Sequence, residues 1–455
     1  MLRPGFFPMH DDLQVIRIQQ MSECLKDFQI PCRWVPDMGY GYGYPQFNYY
    51  GPLPYYLMTA ANALGLNLFD SVKLGFILAQ VLGNITMFFL VSSLWGNLAG
   101  FISAAAFAYT PYRASDLFVR GAMGEAWAFV FFPLILYAVK RIVEKPGLKS
   151  AALLALSIGS LLATHNISVL IFMPLAALWG IYWLLFQNKK LIVIKYAVLG
   201  FFWAVAIAGF FFLPVVFEQK FAHTETLLYG YFNYLAHFAT IKQLFLTTFW
   251  GYGSSEIGGT DDIGLFLGPI HLFLGLTSLI IAIIHLRKKE LRQHSTLILL
   301  SLLFILFSLF MTHSRSTFIW KLIPPLAFLQ FPWRFLVTAS TFLALISGFF
   351  VFKLGNKLGY YLAAIAVLFL FLFNRSFWKS RVWLDITPIE KLSGYSWDRQ
   401  LTISIFDYLP IYAKAPPAGP APVLPQVIEG KVGLTNYQKN LIEFLSVPKA
   451  TNPPW

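Results

Sequence analysis

Long apolar stretches separated by short polar turns run through the chain from Phe69 to Phe373. A helix rises about 1.5 Å per residue and must cross a hydrocarbon core about 30 Å thick, so apolar runs of roughly 15 to 26 residues read as membrane-spanning helices. Ten are predicted: Phe69–Leu94, Leu98–Pro111, Ala122–Lys140, Ser150–Thr164, Ile167–Phe186, Leu191–Val216, Leu265–Leu286, Ser295–Met311, Phe331–Lys353 and Leu358–Phe373. The shorter ones, notably Ser150–Thr164, suit helices that are tilted, broken or re-entrant inside protein. Ahead of the first span, Leu13, Ile16, Met21, Leu25 and Phe28 recur at helical spacing between polar residues. This predicts an amphipathic helix over Asp11–Gln29 lying on the outer surface. Beyond the last span, Val423–Ser446 alternates in short strand-like runs that stop before a sheet could close. The expected fold class is therefore an all-α polytopic membrane protein of about ten transmembrane helices with a partial, β-containing C-terminal segment. Its regions are an external first loop over 1–68, a membrane domain over 69–373 with a long external loop at 218–264, and an external segment over 374–455.

Composition agrees: 57% hydrophobic residues against 12% charged ones lies far from a soluble domain. The net charge of +13 would suit nucleic acid if the bases formed one face, but they fall in short turns, so they encode topology and no nucleic-acid partner is expected. Lys140, Arg141, Lys145 and Lys149, then Lys189 and Lys190, then Arg287, Lys288, Lys289 and Arg292, then Lys353 and Lys357 occupy alternate connections. By the positive-inside rule these are cytoplasmic. The other face then holds residues 1–68, the turns around Asp116 and His165, the long loop, 312–330 and the tail from Asn374. Of 21 acidic residues only Glu144 and Glu290 remain on the cytoplasmic side. A multi-pass protein of the cytoplasmic membrane with an extracytoplasmic active face is expected. The first 68 residues would have to be carried outside, so a preceding helix is expected, and the tail likewise reads as cut. The two cysteines, Cys24 and Cys32, do not indicate a disulfide framework, although an oxidising face permits one bridge.

Candidate chemistry gathers on that outer face. In the run Phe6-Phe7-Pro8-Met9-His10-Asp11-Asp12, one acid would suffice as a helix N-cap. The second acid and His10 leave a catalytic or metal-binding role open. The loop from Met38 to Pro52, too rich in glycine and proline for regular structure, is either an interfacial aromatic belt or, through tyrosines such as Tyr42 and Tyr44, a stacking surface for a sugar ring. Glu125, about one turn inside an apolar helix, needs a partner, and Arg120 is the nearest candidate. They form either a purely structural ion pair or a site in which Arg120 binds a phosphate. His165-Asn166 interrupts two helices and alone reads as a polar turn. Arg334, in Phe331-Pro332-Trp333-Arg334-Phe335, can snorkel to headgroups or hold an anionic substrate. The long loop adds His223, Glu225, Tyr229, Glu256, Asp261 and Asp262, with metal binding at Gly258–Asp262 a minor option. No P-loop, dinucleotide fingerprint, HExxH or CxxC cluster occurs, which removes support for nucleotide-driven, dinucleotide and zinc-protease readings.

Four of these runs taken in order, Gly5 to Asp12, Pro111 to Pro133, Thr164-His165-Asn166 and Phe331 to Phe335, resemble the bacterial and archaeal membrane proteins labelled 6-pyruvoyl-tetrahydropterin synthase related. The resemblance covers most of residues 1–415. That family is similar to the YfhO-like proteins and the GT-C superfamily of polytopic glycosyltransferases. No zinc-ligand histidine cluster of a soluble pterin synthase is found. The GT-C likeness implies an acidic motif in the first external loop, matched by Asp11 and Asp12, and a polyprenyl-phosphate sugar donor. It implies Asp11 or Asp12 as base, the other orienting the acceptor or holding a divalent cation such as Mg or Mn, and Glu125 as a second acid. Arg120 and Arg334 would stabilise the leaving phosphate, with His10, His165, Tyr42 and Tyr44 contacting substrate. The acceptor would be a glycan, lipid or protein, and a single displacement would invert the anomeric centre. The competing readings are a transporter or flippase of lipid-linked glycans and a noncatalytic envelope assembly protein.

Overall fold

The computed structural model describes residues 1–256, 261–354, 356–402 and 405–422. Among these, twelve helices reach ten residues or more. They are α1 (Gln14–Lys26), α2 (Leu53–Ala63), α3 (Leu68–Trp95), α4 (Asn97–Ala108), α5 (Met123–Glu144), α6 (Leu148–Leu162), α7 (Asn166–Leu185), α8 (Lys190–Glu218), α9 (Pro269–His285), α10 (Arg292–Thr312), α11 (Leu336–Ser347) and α12 (Asn356–Asn374). Each of the ten predicted spans coincides with one of α3 to α12. Seven helical segments are long and apolar enough to cross a membrane, and α4, α6 and α9 are the shorter apolar helices. The chain is an all-α polytopic membrane protein.

Local signals set the boundaries. Asn67 caps α3 by accepting from the Asp70 N–H at 2.9 Å, and Pro269 opens α9 at a position where its missing N–H costs nothing. Burial then sorts the helices into centre and rim. Within the apolar 18-residue stretch of each, 94% of Pro332–Val351, which contains α11, and 78% of α5 are buried, against 28% of Lys190–Phe221, which contains α8. Inside, rings interlock: Phe132 of α5 stacks on Phe172 of α7 at 4.1 Å, and Phe342 of α11 lies 4.9 Å from Phe304 of α10. In a membrane this packing stands in for the hydrophobic drive that lipid cannot supply.

The surface-helix and N-cap readings need correction. The predicted surface helix shrinks to α1 and packs inside the fold, with Val15, Ile16, Ile18 and Met21 buried beside Gln14, Arg17 and Gln20. Its polar positions mimic a solvated face but bond within the protein, Gln14 and Arg17 to Asp11 and Gln20 to Asp37. Neither Asp11 nor Asp12 caps it; its N-cap is Leu13, with no side-chain cap. Cys24 and Cys32 are joined in a disulfide across the end of α1, as an oxidising compartment permits. Among the described residues the tail makes isolated bridges, such as Phe6 with Leu384 and Ala222 with Pro410, and no sheet. The strand-like runs over Val423–Ser446 lie outside the described residues, as do residues 257–260 of the long loop.

Candidate functional site

The segment before α1 is anchored by Phe6 and Phe7, both fully buried, which stack on Phe69 at 4.6 Å and Trp383 at 5.6 Å. Its backbone then pairs with the turn that follows α4. His10 N–H donates to Val119 O at 3.0 Å and Asp11 N–H to Arg120 O at 2.8 Å. This fixes Asp11 beside Arg120, which is 109 positions away in sequence (120 minus 11). Three donors converge on one Asp11 oxygen, Oδ2: Arg17 Nη1 at 2.8 Å, Gln14 Nε2 at 3.0 Å and the Tyr50 hydroxyl at 3.2 Å. The Arg17 guanidinium also covers the Tyr50 ring at 4.1 Å. Oδ1 stays outside this network. The loop carrying Tyr50 can approach because residue 51 is glycine: a Cβ there would lie 1.9 Å from the Thr164 carbonyl.

Across from Asp11 stands a second charged group. Residues Asp116–Arg120 form one π-helical turn, closed by Gly121 at a φ of 67°, a left-handed value that suits glycine. The turn aims Arg120 Nη1 at Asp116 Oδ1 (2.5 Å), Glu125 Oε2 (3.0 Å) and the Tyr112 hydroxyl oxygen (3.2 Å), while Tyr112 donates to Glu125 Oε1 at 2.5 Å. The Arg120 guanidinium also lies over the Trp333 ring at 4.7 Å. Arg334 reaches the same Glu125 oxygen only at 3.9 Å, and its Nη1 donates to Leu329 O at 2.7 Å. Its buried Nε has no hydrogen-bond partner among the described residues. Two carboxylates and two guanidiniums are thus buried together, as unpaired burial of either sign would be costly. Of the two cations, Arg334 is the less engaged. At the α6–α7 turn, His165 Nδ1 meets the Ser168 hydroxyl at 2.7 Å. Burial pushes the His165 pKa down to about 4.

These groups face one cavity of about 760 Å³. Its polar wall holds Asp11, Arg17, Arg120, Glu125, His165 and Arg334, and its apolar wall includes Ile167 and Leu170 of α7 with Phe212 and Val215 of α8. Tyr44, Tyr49 and Tyr408 close another side, with the Tyr408 ring 6.0 Å from Tyr44 and 5.0 Å from Tyr49. All these residues belong to the helix ends and connections that lack the basic clusters. His10 also lines the cavity, with its Nε2 3.0 Å from Tyr252 O.

Two expected site residues lie elsewhere. Asp12 does not line the cavity and pairs with Lys391 of the tail; burial pushes its carboxyl above the ordinary range while Lys391 opposes that rise. Tyr42 is 55% exposed and also stands apart from the cavity. The adjacent acids therefore diverge, each met by a cation, and their donor set does not fit a shared divalent cation. No group of three or more His, Cys, Asp or Glu suited to a metal occurs among the described residues. Arg17, Tyr50, Asp407 and Tyr408 line the cavity and were not singled out in the sequence. Tyr50 lay within the aromatic loop, and Arg17 follows Asp11 on the same helical segment. Nothing local marked Asp407 or Tyr408.

Residues 47–382 match the family described as 6-pyruvoyl-tetrahydropterin synthase related domain, membrane protein, and the chain belongs to that family. Arg120, Glu125, His165 and Arg334 fall within the matched region, and Asp11 precedes it. An uncharacterized protein of Lactococcus lactis subsp. cremoris (strain MG1363) is 23% identical over 213 residues, which span 45% of this chain and 34% of that relative's length.

Proposed function

We propose that this protein is a membrane glycosyltransferase that moves a sugar from a polyprenyl-phosphate donor to a hydroxyl of an extracytoplasmic acceptor, inverting the anomeric carbon. The observation that carries this reading is a single cavity lined both by charged groups, Asp11 and Arg334 among them, and by apolar residues of α7 and α8, of which α8 lies in a span that is only 28% buried. A ligand with an anionic head and an isoprenoid tail matches both walls. The tail would lie along Ile167, Leu170, Phe212 and Val215, and the phosphate would meet Arg334, assisted by Arg120.

In the reaction, Asp11 takes the proton of the acceptor hydroxyl through Oδ1 while Arg17, Gln14 and Tyr50 hold Oδ2. The acceptor oxygen bonds to the anomeric carbon, the bond from that carbon to the phosphate oxygen breaks, and polyprenyl phosphate leaves with the electron pair. Fixed guanidiniums facing the leaving oxygen stabilise its growing charge without reorganising, a contribution of about 3–4 kcal/mol for a well-aimed donor. Glu125, between Arg120 and Arg334, is a second acid of the site and orients both cations. His165 and Tyr44 offer polar and aromatic edges to the sugar. No step is routed through a divalent cation. The extracytoplasmic setting is supported by the clustering of basic residues at the opposite helix ends.

The experiment is reconstitution of the full chain in liposomes with a labelled polyprenyl-phosphate hexose and a hydroxyl acceptor. Label covalently joined to acceptor with release of polyprenyl phosphate is expected. Label that stays on its lipid and changes leaflet would replace transfer by transport.

A further inference from the structure

The helices that bring Glu125, His165 and Arg334 to the cavity carry a second polar cluster at their other ends. Lys140 lies near the end of α5, Tyr182 and Trp183 near the end of α7, and Lys353 just beyond the span that contains α11. His294, in the first turn of α10, completes it. Aromatic rings join the members. The Lys140 ammonium stands 5.8 Å from the Trp183 ring, and the neighbouring Tyr182 hydroxyl donates to Gln293 O at 2.6 Å. Beside Gln293, the His294 ring lies 4.8 Å from Phe352, and the Lys353 ammonium 5.5 Å from that same ring. Both lysines are within electrostatic reach of His294. Lys140 is already met by Glu144 at 2.5 Å, which Arg141 also approaches at 3.7 Å. Among the described residues, His294 and Lys353 have no acidic partner within ion-pair distance, and the His294 ring makes no hydrogen bond.

An anion tethered to an apolar chain suits this place. By the positive-inside rule these helix ends lie at the inner leaflet, where phospholipid phosphates stand. Exposed Ile181, Leu185 and Phe186 continue the surface from Tyr182 and Trp183, with the Phe186 ring 5.2 Å from Tyr182. Basic pockets between membrane helices on the cytoplasmic side hold anionic headgroups. We propose that His294 and Lys353 bind the phosphate of an anionic phospholipid of the inner leaflet, Lys353 by its charge and His294 by a ring N–H, with an acyl chain along the end of α7. Lys140, held by Glu144, adds to the field without contacting the headgroup. A zwitterionic headgroup brings a cation of its own, which Lys353 repels. Free phosphate meets the same charges but gains nothing from the apolar surface. The site is independent of what the cavity transfers.

The full chain in an uncharged detergent is titrated with phosphatidylglycerol, phosphatidylcholine or inorganic phosphate while Tm is followed. A saturable rise is expected with phosphatidylglycerol alone. Lys353→Gln and His294→Leu should each weaken the apparent affinity for phosphatidylglycerol about fivefold, whereas Lys288→Gln, which removes the same charge as K353Q from an exposed turn, should leave it within about twofold. Equal effects of K353Q and K288Q would reduce the site to general surface charge and overturn the proposal. An equal rise with phosphatidylcholine or with inorganic phosphate would overturn the assignment to an anionic lipid. Photoreactive phosphatidylglycerol on the native chain gives a readout that no variant's folding can obscure. Adducts on the peptides bearing Trp183, His294 or Lys353, competed by unlabelled phosphatidylglycerol, are expected, and their absence overturns the site.

Discussion

Arg120 and Arg334 approach the same Glu125 oxygen yet carry different burdens. Arg120 bridges Asp116 and Glu125 at 2.5 and 3.0 Å, so removing it strands two buried carboxylates, at a cost of about 3–5 kcal/mol. Arg334 touches Glu125 at 3.9 Å and keeps an unbonded buried Nε. Arg120→Gln is expected to lower Tm sharply in thermal unfolding. Arg334→Gln should keep Tm near native and raise the donor KM at least tenfold; equal losses of Tm would argue against the division. His165 gives a pH signature. Its pKa falls from an ordinary 6.5 to about 4, so the unfolded chain binds more protons between those values and stability drops as pH falls through that window. The difference in Tm between the native chain and His165→Gln should change between pH 7 and 4, and a constant difference would contradict it.

The segment bearing Asp11 is clamped between two others. One is the turn at Val119 and Arg120, joined through backbone hydrogen bonds. The other is the tail, joined by the Phe6–Leu384 bridge and the Asp12–Lys391 ion pair, with Lys391 at the end of the short helix Pro388–Lys391. On the glycosyl-transfer proposal, Asp12 is a positioning residue that acts through the tail. Asp12→Lys and Lys391→Glu should each cut kcat about tenfold, and the double exchange should restore most of it, because a partly buried charge left alone is the main penalty. No recovery in a folded double variant would remove the latch. The helices themselves were legible because span length and apolarity are local properties, and all ten reappear as α3 to α12. The interior position of α1 was not legible, since Gln14, Arg17 and Gln20 read as solvated while Gly121, Tyr55 and Asp37, which also bond them, come from later segments. Glu125 with Arg120 was legible, five residues apart on one helix entry. The contribution of Tyr408 was not, because only the folded tail brings it against Tyr44 and Tyr49.

The assembled protein has a buried centre in α5 and α11, a less buried rim that includes α8 and α12, and a charged cavity at the helix ends away from the basic turns. On the glycosyl-transfer proposal, that arrangement lets a lipid-borne anion and a water-borne hydroxyl meet at Asp11. Asp11 lines the charged cavity and Asp12 does not, so the two neighbouring acids are expected to differ in their effect on transfer. The most direct measurement is kcat for sugar transfer by Asp11→Asn and Asp12→Asn, prepared identically in the full chain and shown by thermal unfolding to be folded. Loss of a general base lowers the rate by roughly 10²–10⁴. That loss is expected for Asp11→Asn, and a decrease of about tenfold or less for Asp12→Asn. Native-like transfer by folded Asp11→Asn would contradict the glycosyl-transfer proposal.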